Sequence, residues 1–184
     1  MRRIWAGEFM TLDGVLESPD QWSTPYFNDE VGSIIGANMA SSDAMLLGRV
    51  TYQEWQGYWP DKSADDDPFA AFINNARKYV VSTTLDSVDE AWGAELLRGD
   101  FREAITALKE SEGGDIIVNG CISVLTSLIR ERLLDRLDLL VSPVVVGKGR
   151  HLFEGGAESA GLELVDSKTL TNGVISVSYR LADA

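Results

Sequence analysis

One cysteine and one histidine are all this 184-residue chain holds of the two residue types most used in structural metal sites. Cys121 alone cannot close an intrachain disulfide, and Cys121 with His151 leaves no Cys/His cluster for a structural zinc, so no metal is expected. Long apolar runs are missing too. No segment approaches the roughly 20 apolar residues of a membrane span, and Glu8 and Asp13 interrupt what a signal peptide would need after Met1-Arg2-Arg3. A cytoplasmic location, with no membrane partner, is expected. Positive charge is scarce: 16 Lys and Arg stand against 29 Asp and Glu, a formal net charge of -13. A field of that sign repels phosphate backbones and no basic stripe offsets it, so no nucleic-acid partner is expected. Neither G-x-G-x-x-G nor a Walker A glycine-lysine signature is present, which disfavours ordinary Rossmann and P-loop readings.

What is there reads as an α/β domain, one unit over residues 1–184 with no linker or repeat to divide it. Short apolar runs predict strands near Ile4 to Phe9, Ala44 to Leu47, Tyr79 to Ser82, Ile116 to Val118 and Leu137 to Val141. Leu162 to Asp166, Thr171-Asn172-Gly173 and Val174 to Leu181 predict a closing antiparallel hairpin. In its second arm Ile175, Val177, Tyr179 and Leu181 alternate with mostly polar residues. Helices fill the gaps. Asn28 can cap a helix whose first turn holds Asp29 and Glu30. Asp67-Pro68 offers a start ahead of Phe69, Phe72, Ile73 and Ala76. Asp100 and Glu103 have capping-box spacing ahead of a helix closed by Gly113-Gly114. Val124, Leu125, Leu128, Ile129 and Leu133 line one face of a later helix, which reads as a buried crossover. The acidic run Asp61 to Asp67 reads as an exposed loop.

Two segments share a plan suited to phosphate: an apolar strand, a glycine, then a helix start. They are Ala44-Met45-Leu46-Leu47-Gly48-Arg49-Val50-Thr51-Tyr52 and Asp115-Ile116-Ile117-Val118-Asn119-Gly120-Cys121-Ile122-Ser123. Glycine lets an anion approach the backbone, helix-start N–H groups face it, and Arg49 can donate two parallel hydrogen bonds. The bland alternative for each is an ordinary strand-to-helix turn.

In order and spacing the chain resembles the dihydrofolate reductase-like family that includes the C-terminal reductase domain of bifunctional riboflavin-biosynthesis proteins. The resemblance covers nearly the whole chain. It rests on Met10-Thr11-Leu12-Asp13-Gly14-Val15, Leu47 to Tyr52, Val81-Ser82-Thr83-Thr84-Leu85, Val118-Asn119-Gly120-Cys121, Leu134 to Asp138, and Ser142 to Arg150. It implies a three-layer domain with a central mixed, mostly parallel sheet and a C-terminal antiparallel hairpin. It also implies a homodimer formed through the C-terminal strand region.

The implied activity is hydride transfer from NADPH to a small heterocyclic substrate, with 5-amino-6-(5-phosphoribosylamino)uracil as the pathway compound. Gly48, Arg49 and Thr51 would lie near the phosphates and Ser82, Thr83 and Thr84 near the adenosine 2′-phosphate. Gly120, Cys121, Ile122 and Ser123 would cover the pyrophosphate and nicotinamide half, and Leu12, Asp13 and Gly14 would approach the reacting ring. Two positions depart from the family: Cys121 stands where serine or glycine is common, and Asn119 replaces one of a glycine pair. The zinc-dependent deaminase half of the bifunctional enzymes has no counterpart in the sequence.

For the substrate, Trp22, Tyr26 and Phe27 form one aromatic group and Trp55, Tyr58 and Trp59 another, either of which could wall a flat ring or simply pack the core. Gly147 joins Trp22, Tyr26 and Trp55 as a substrate-side residue, with Lys148 and Arg150 as candidates for a substrate phosphate. Asp13 is the first choice for acid chemistry; Asp29 and Glu30 lie where the folate enzymes place their pterin carboxylate. His151 and Cys121 read as structural. Three rivals stand beside this reading: dihydrofolate reductase activity, a non-catalytic NADPH-binding protein, and a structural dimer module that binds nothing.

Overall fold

The computed structural model describes residues 1–153 and 159–182. Its strands are β1 (Ile4–Thr11), β2 (Ser42–Gly48), β3 (Arg77–Val81), β4 (Ala94–Leu97), β5 (Asp115–Val118), β6 (Arg136–Ser142), β7 (Leu162–Thr169) and β8 (Ile175–Leu181). The helices are α1 (Asp29–Met39), α2 (Arg49–Gln56), α3 (Ala70–Asn75), α4 (Phe101–Glu110) and α5 (Ile122–Arg130). All eight strands join one sheet in the order β4-β3-β2-β5-β1-β6-β8-β7. The first six are parallel and the β6–β8 and β8–β7 pairs antiparallel, which is the mixed architecture expected. Right-handed crossovers put α1 and α3 on one face and α4 and α5 on the other.

Central parallel strands are covered on both faces, so they read as near-continuous apolar runs. Ile116, Ile117 and Val118 are at most 1% exposed, and each such side chain contributes about 1.5–3 kcal/mol of burial. The hairpin turns at Gly173, whose φ of 84° needs glycine, with Leu170 N–H donating to Val174 O at 2.8 Å. In β8, Val177, Tyr179 and Leu181 pack on the main core. The alternate residues Ser176 and Ser178 line a cavity, so this strand's polar face is enclosed by a second wall.

Three sequence expectations shift. Strand β4 was not predicted, because Ala94-Glu95-Leu96-Leu97 is four residues at a sheet edge with no alternation to mark it. Asp67 does not cap a helix directly: its Oδ1 accepts from Phe69 N–H at 2.8 Å in a preceding turn, and α3 begins at Ala70. Asp100 does cap α4, accepting from Glu103 N–H at 3.0 Å, but the helix ends at Glu110, ahead of the glycine pair.

Candidate active site

The sheet splits at its carboxyl edge. β1 and β5 pair only as far as Ala6 and Val118, whereas β1 runs on beside β6 to Thr11 and Ser142. The chain leaving β5 crosses one face while the chains leaving its neighbours β1 and β2 cross the other, the switch point at which open α/β sheets bind ligands. The two glycine-led helix starts follow the adjacent strands β2 and β5 on one side of this split. α2 begins after Gly48 and α5 after Cys121, and neither has a side-chain cap, whereas α1 is capped by Asn28 and α4 by Asp100. Both uncapped first turns keep backbone donors for an outside acceptor.

The glycines meet closely. Gly120 has φ +64°, a Cβ on Gly48 would lie 3.4 Å from Val124 Cγ2, and Thr51 Oγ1 donates to Gly120 O at 3.1 Å. The Gly48 and Gly120 N–H groups are themselves engaged. Gly48 N–H donates to Cys121 Sγ at 3.1 Å, and Gly120 N–H donates to both Glu8 oxygens at 3.0 Å. Burial pushes the Cys121 thiol up to about 11 and the Glu8 carboxyl up to about 8, so both hold their protons at neutral pH. Arg49 is exposed, with Nη1 donating to Gln53 Oε1 at 2.9 Å; Ser123 at the other helix start is also exposed. Past the end of β3, Ser82 Oγ accepts from Thr84 and Leu85 N–H at 3.1 and 3.0 Å, leaving Thr83 and Thr84 exposed.

Beside the split lies a cavity of about 930 Å³ between α1 and the β1–β6–β8 face. Alternation along β1 turns Trp5, Gly7 and Phe9 to it. A Cβ on Gly7 would sit 2.9 Å from Trp5 Cζ3, so glycine leaves room for the indole ring. Trp55 and Trp59, edge-to-face at 5.9 Å, form a further wall with Phe69 and Phe27. The polar side holds Asp138, which accepts from Asn38 Nδ2 at 3.0 Å and from Ser178, and pairs with Arg136 at 2.8 Å. Asn119 Nδ2 donates to Gly7 O at 2.6 Å. Asn119 Oδ1 and Arg136 Nε are buried without a hydrogen-bond partner, and both residues line the cavity.

Of the substrate-side residues expected from sequence, Trp55 lines this cavity. Trp22 is buried elsewhere, its Nε1 donating to Glu17 O at 3.0 Å, and Tyr26 packs beside Val31 and Leu170. Asp13 ties two loops: its Oδ1 accepts from Thr11 Oγ1 at 2.6 Å and its Oδ2 from Gly147 N–H at 2.8 Å. The Thr11 hydroxyl first, then the Gly147 N–H, hold Asp13 below the usual carboxylate range, which makes it a poor proton donor. Leu12 beside it is 64% exposed, and Gly14 turns the chain at φ +85°. Glu30 faces the hairpin, accepting from Thr171 hydroxyl and N–H and pairing with Lys168 at 3.3 Å; the Thr171 contacts bring it down to about 2. Asp29 is exposed at the start of α1, and neither acid is among the cavity-lining residues. Asn38, Arg136, Asp138 and Glu8 were not assigned to the site from the sequence, and Asn119 was noted there only as a departure from a family glycine. Alternation along β1 and β6 could have flagged Glu8, Arg136 and Asp138 as polar residues in buried strands.

A doubly wound sheet split at its switch point, with paired glycine-led helix starts above an aromatic cavity, defines the dihydrofolate reductase-like class. The RibD C-terminal domain family model matches residues 2–176, and the chain belongs to that family. The uncharacterized protein YyaP of Bacillus subtilis (strain 168) is 29% identical over 192 residues, spanning 97% of this chain and 94% of that protein. Two solved structures share the fold. The diaminohydroxyphosphoribosylaminopyrimidine deaminase/5-amino-6-(5-phosphoribosylamino)uracil reductase of Thermotoga maritima has a TM-score of 0.70 at 16% identity, over 98% of this chain and 57% of that one. Dihydrofolate reductase from Enterococcus faecalis, complexed with NADP(H) and RAB-propyl, has a TM-score of 0.64 at 16% identity, over 98% and 97%. Among the described residues no group of His, Cys, Asp and Glu is arranged to hold a metal ion, and no helix is long and apolar enough to cross a membrane.

Proposed function

We propose that this protein is an NADPH-dependent reductase of a small heterocyclic substrate, the activity its family membership suggests. The observation that carries the reading is the pair of uncapped helix starts at Gly48 and Cys121, converging on the β1–β5 split beside a ring-sized aromatic cavity. These residues fit a dinucleotide: first-turn N–H groups of α2 and α5 can take phosphate oxygens, exposed Arg49 adds charge, and Thr83 and Thr84 offer hydroxyls. Buried Asn119 Oδ1 is an acceptor left over for an amide or amine N–H. NADPH would supply the hydride.

The chain's own part is to orient and shield. Trp5, Trp55 and Trp59 exclude water from the ring site. Asn119 and Arg136 fix a heterocycle's edge, and Glu8 keeps a proton at Gly120 beside the split. With Asp29 and Glu30 away from the cavity, the pterin-carboxylate arrangement that would favour dihydrofolate is not formed by those residues.

The test is titration with NADPH and NADH, read by tryptophan fluorescence and melting temperature, with Arg49→Ala in parallel. NADPH consumption is then followed with 5-amino-6-(5-phosphoribosylamino)uracil and with dihydrofolate. NADPH-selective binding weakened roughly tenfold or more in Arg49→Ala is expected from loss of a charge-assisted contact of about 1.5–3 kcal/mol. Absence of binding by either dinucleotide would refute the reading; binding without turnover of any heterocycle would favour a non-catalytic NADPH-binding protein.

A further inference from the structure

We propose that the cavity selects an uncharged or cationic planar heterocycle bearing an amino group and no phosphate or carboxylate. The inference rests on the reductase reading and narrows its substrate class. Five acidic residues line the cavity, Asp20, Asp67, Asp138, Asp166 and the Glu8 that burial keeps protonated at neutral pH, against two cations, Arg136 and Lys168. Both cations are already engaged: Arg136 pairs with Asp138 at 2.8 Å, and Lys168 reaches Glu30 at 3.3 Å. Asp20 and Asp166 are exposed at the rim, and their carboxylates have neither an ion pair nor a hydrogen bond among the described residues. Lys148 and Arg150, the cations the sequence suggests for a substrate phosphate, are not among the lining residues.

A phosphate entering this space would exchange water for a wall of like charge and find both cations already neutralised by a carboxylate. An amino group would meet carboxylates. The buried, unpartnered Asn119 Oδ1 accepts one N–H and the buried, unpartnered Arg136 Nε–H donates to one ring nitrogen or carbonyl. An aminopyrimidine edge carries both complements, and its flat faces suit the Trp5 and Trp55 walls.

The proposal is tested by calorimetric titration of the intact protein with two pairs: 2,4-diaminopyrimidine against orotate, and cytidine against cytidine 5′-monophosphate. The expected result is at least tenfold tighter binding of the diaminopyrimidine and of the nucleoside than of their anionic partners. In the Asp20→Asn/Asp166→Asn double variant, whose two sites are exposed, the gap should narrow to under threefold. Equal or tighter binding of the anions by the unaltered protein, an unchanged gap in the double variant, or no binding of any pyrimidine would overturn it. NADPH titration is run on the same samples. Charge-selective pyrimidine binding without dinucleotide binding would count against the reductase reading alone.

Discussion

Replacing Glu8 by glutamine should abolish a pH dependence of folding stability that the native protein carries between about pH 4.5 and pH 8. Glu8 is 6% exposed, and among the described residues its carboxyl accepts a hydrogen bond only from the Gly120 N–H, so burial outweighs that one donor and raises it from 4.5 to about 8. In this window the folded chain holds a proton that the unfolded chain has released. Stability therefore falls as pH rises, by about 1.4 kcal/mol per pH unit. The contribution is complete below pH 4.5 and gone above about pH 8. By pH 7.5 the loss amounts to about 4 kcal/mol, or roughly 8–16 °C in melting temperature for a domain of this size. Glutamine has the shape of the protonated acid, can accept from Gly120 N–H and never ionises. Glu8→Gln should match the native protein within about 1 kcal/mol at pH 5 and exceed it by about 3–4 kcal/mol at pH 7.5. Urea unfolding of both proteins from pH 5 to pH 8 measures the difference, in which the other titrating groups cancel. Two parallel curves, or a gap that shrinks with rising pH, would refute the reasoning.

Lys78 gives a second titration of opposite sign. It is fully buried, with Nζ donating to Asn74 O at 2.8 Å and lying 4.4 Å from the Trp92 ring, and desolvation lowers it to about 8. Below pH 8 the ammonium is charged in both states and its burial cost is constant. Above pH 8 the folded chain sheds the proton first and the native protein gains stability. Lys78→Met should therefore stabilise by about 1–2 kcal/mol at pH 7, with the gain shrinking towards pH 10, as read by thermal unfolding. Gly7→Ala places a methyl 2.9 Å from Trp5 Cζ3 and forces the indole to move; pyrimidine binding should weaken roughly tenfold while the melting temperature drops by only a few degrees, and unchanged binding would show that Trp5 does not shape the cavity.

Much of the fold was legible because the forces that set it are local. The run Ile116-Ile117-Val118, the caps at Asn28 and Asp100, and the turn at Gly173 each depend on residues a few positions apart, and each appears where the pattern places it. The glycine-led helix starts were legible for the same reason. Strand β4 was not, since an edge segment of four residues is held mainly by pairing with β3. On the candidate site, sequence drew attention to Asp13 and Glu30 as reactive acids. The structure shows both carboxylates engaged with Thr11 and Gly147 or with Thr171 and Lys168.

The acids that shape the site owe their character to distance along the chain. Asp138 meets Asn38 across 100 residues and Ser178 across 40, and Glu8 reaches Gly120 across 112. Nothing within a few residues of Glu8 predicts that its proton is retained at neutral pH. Sequence alone determined seven of the eight strands, most helices and the excess of negative charge, because propensity, capping and composition act over one turn or one strand. Only the tertiary structure decided which carboxylates are buried, paired or left at the cavity rim, because desolvation and Coulomb energy depend on what the folded sheet brings within a few ångströms.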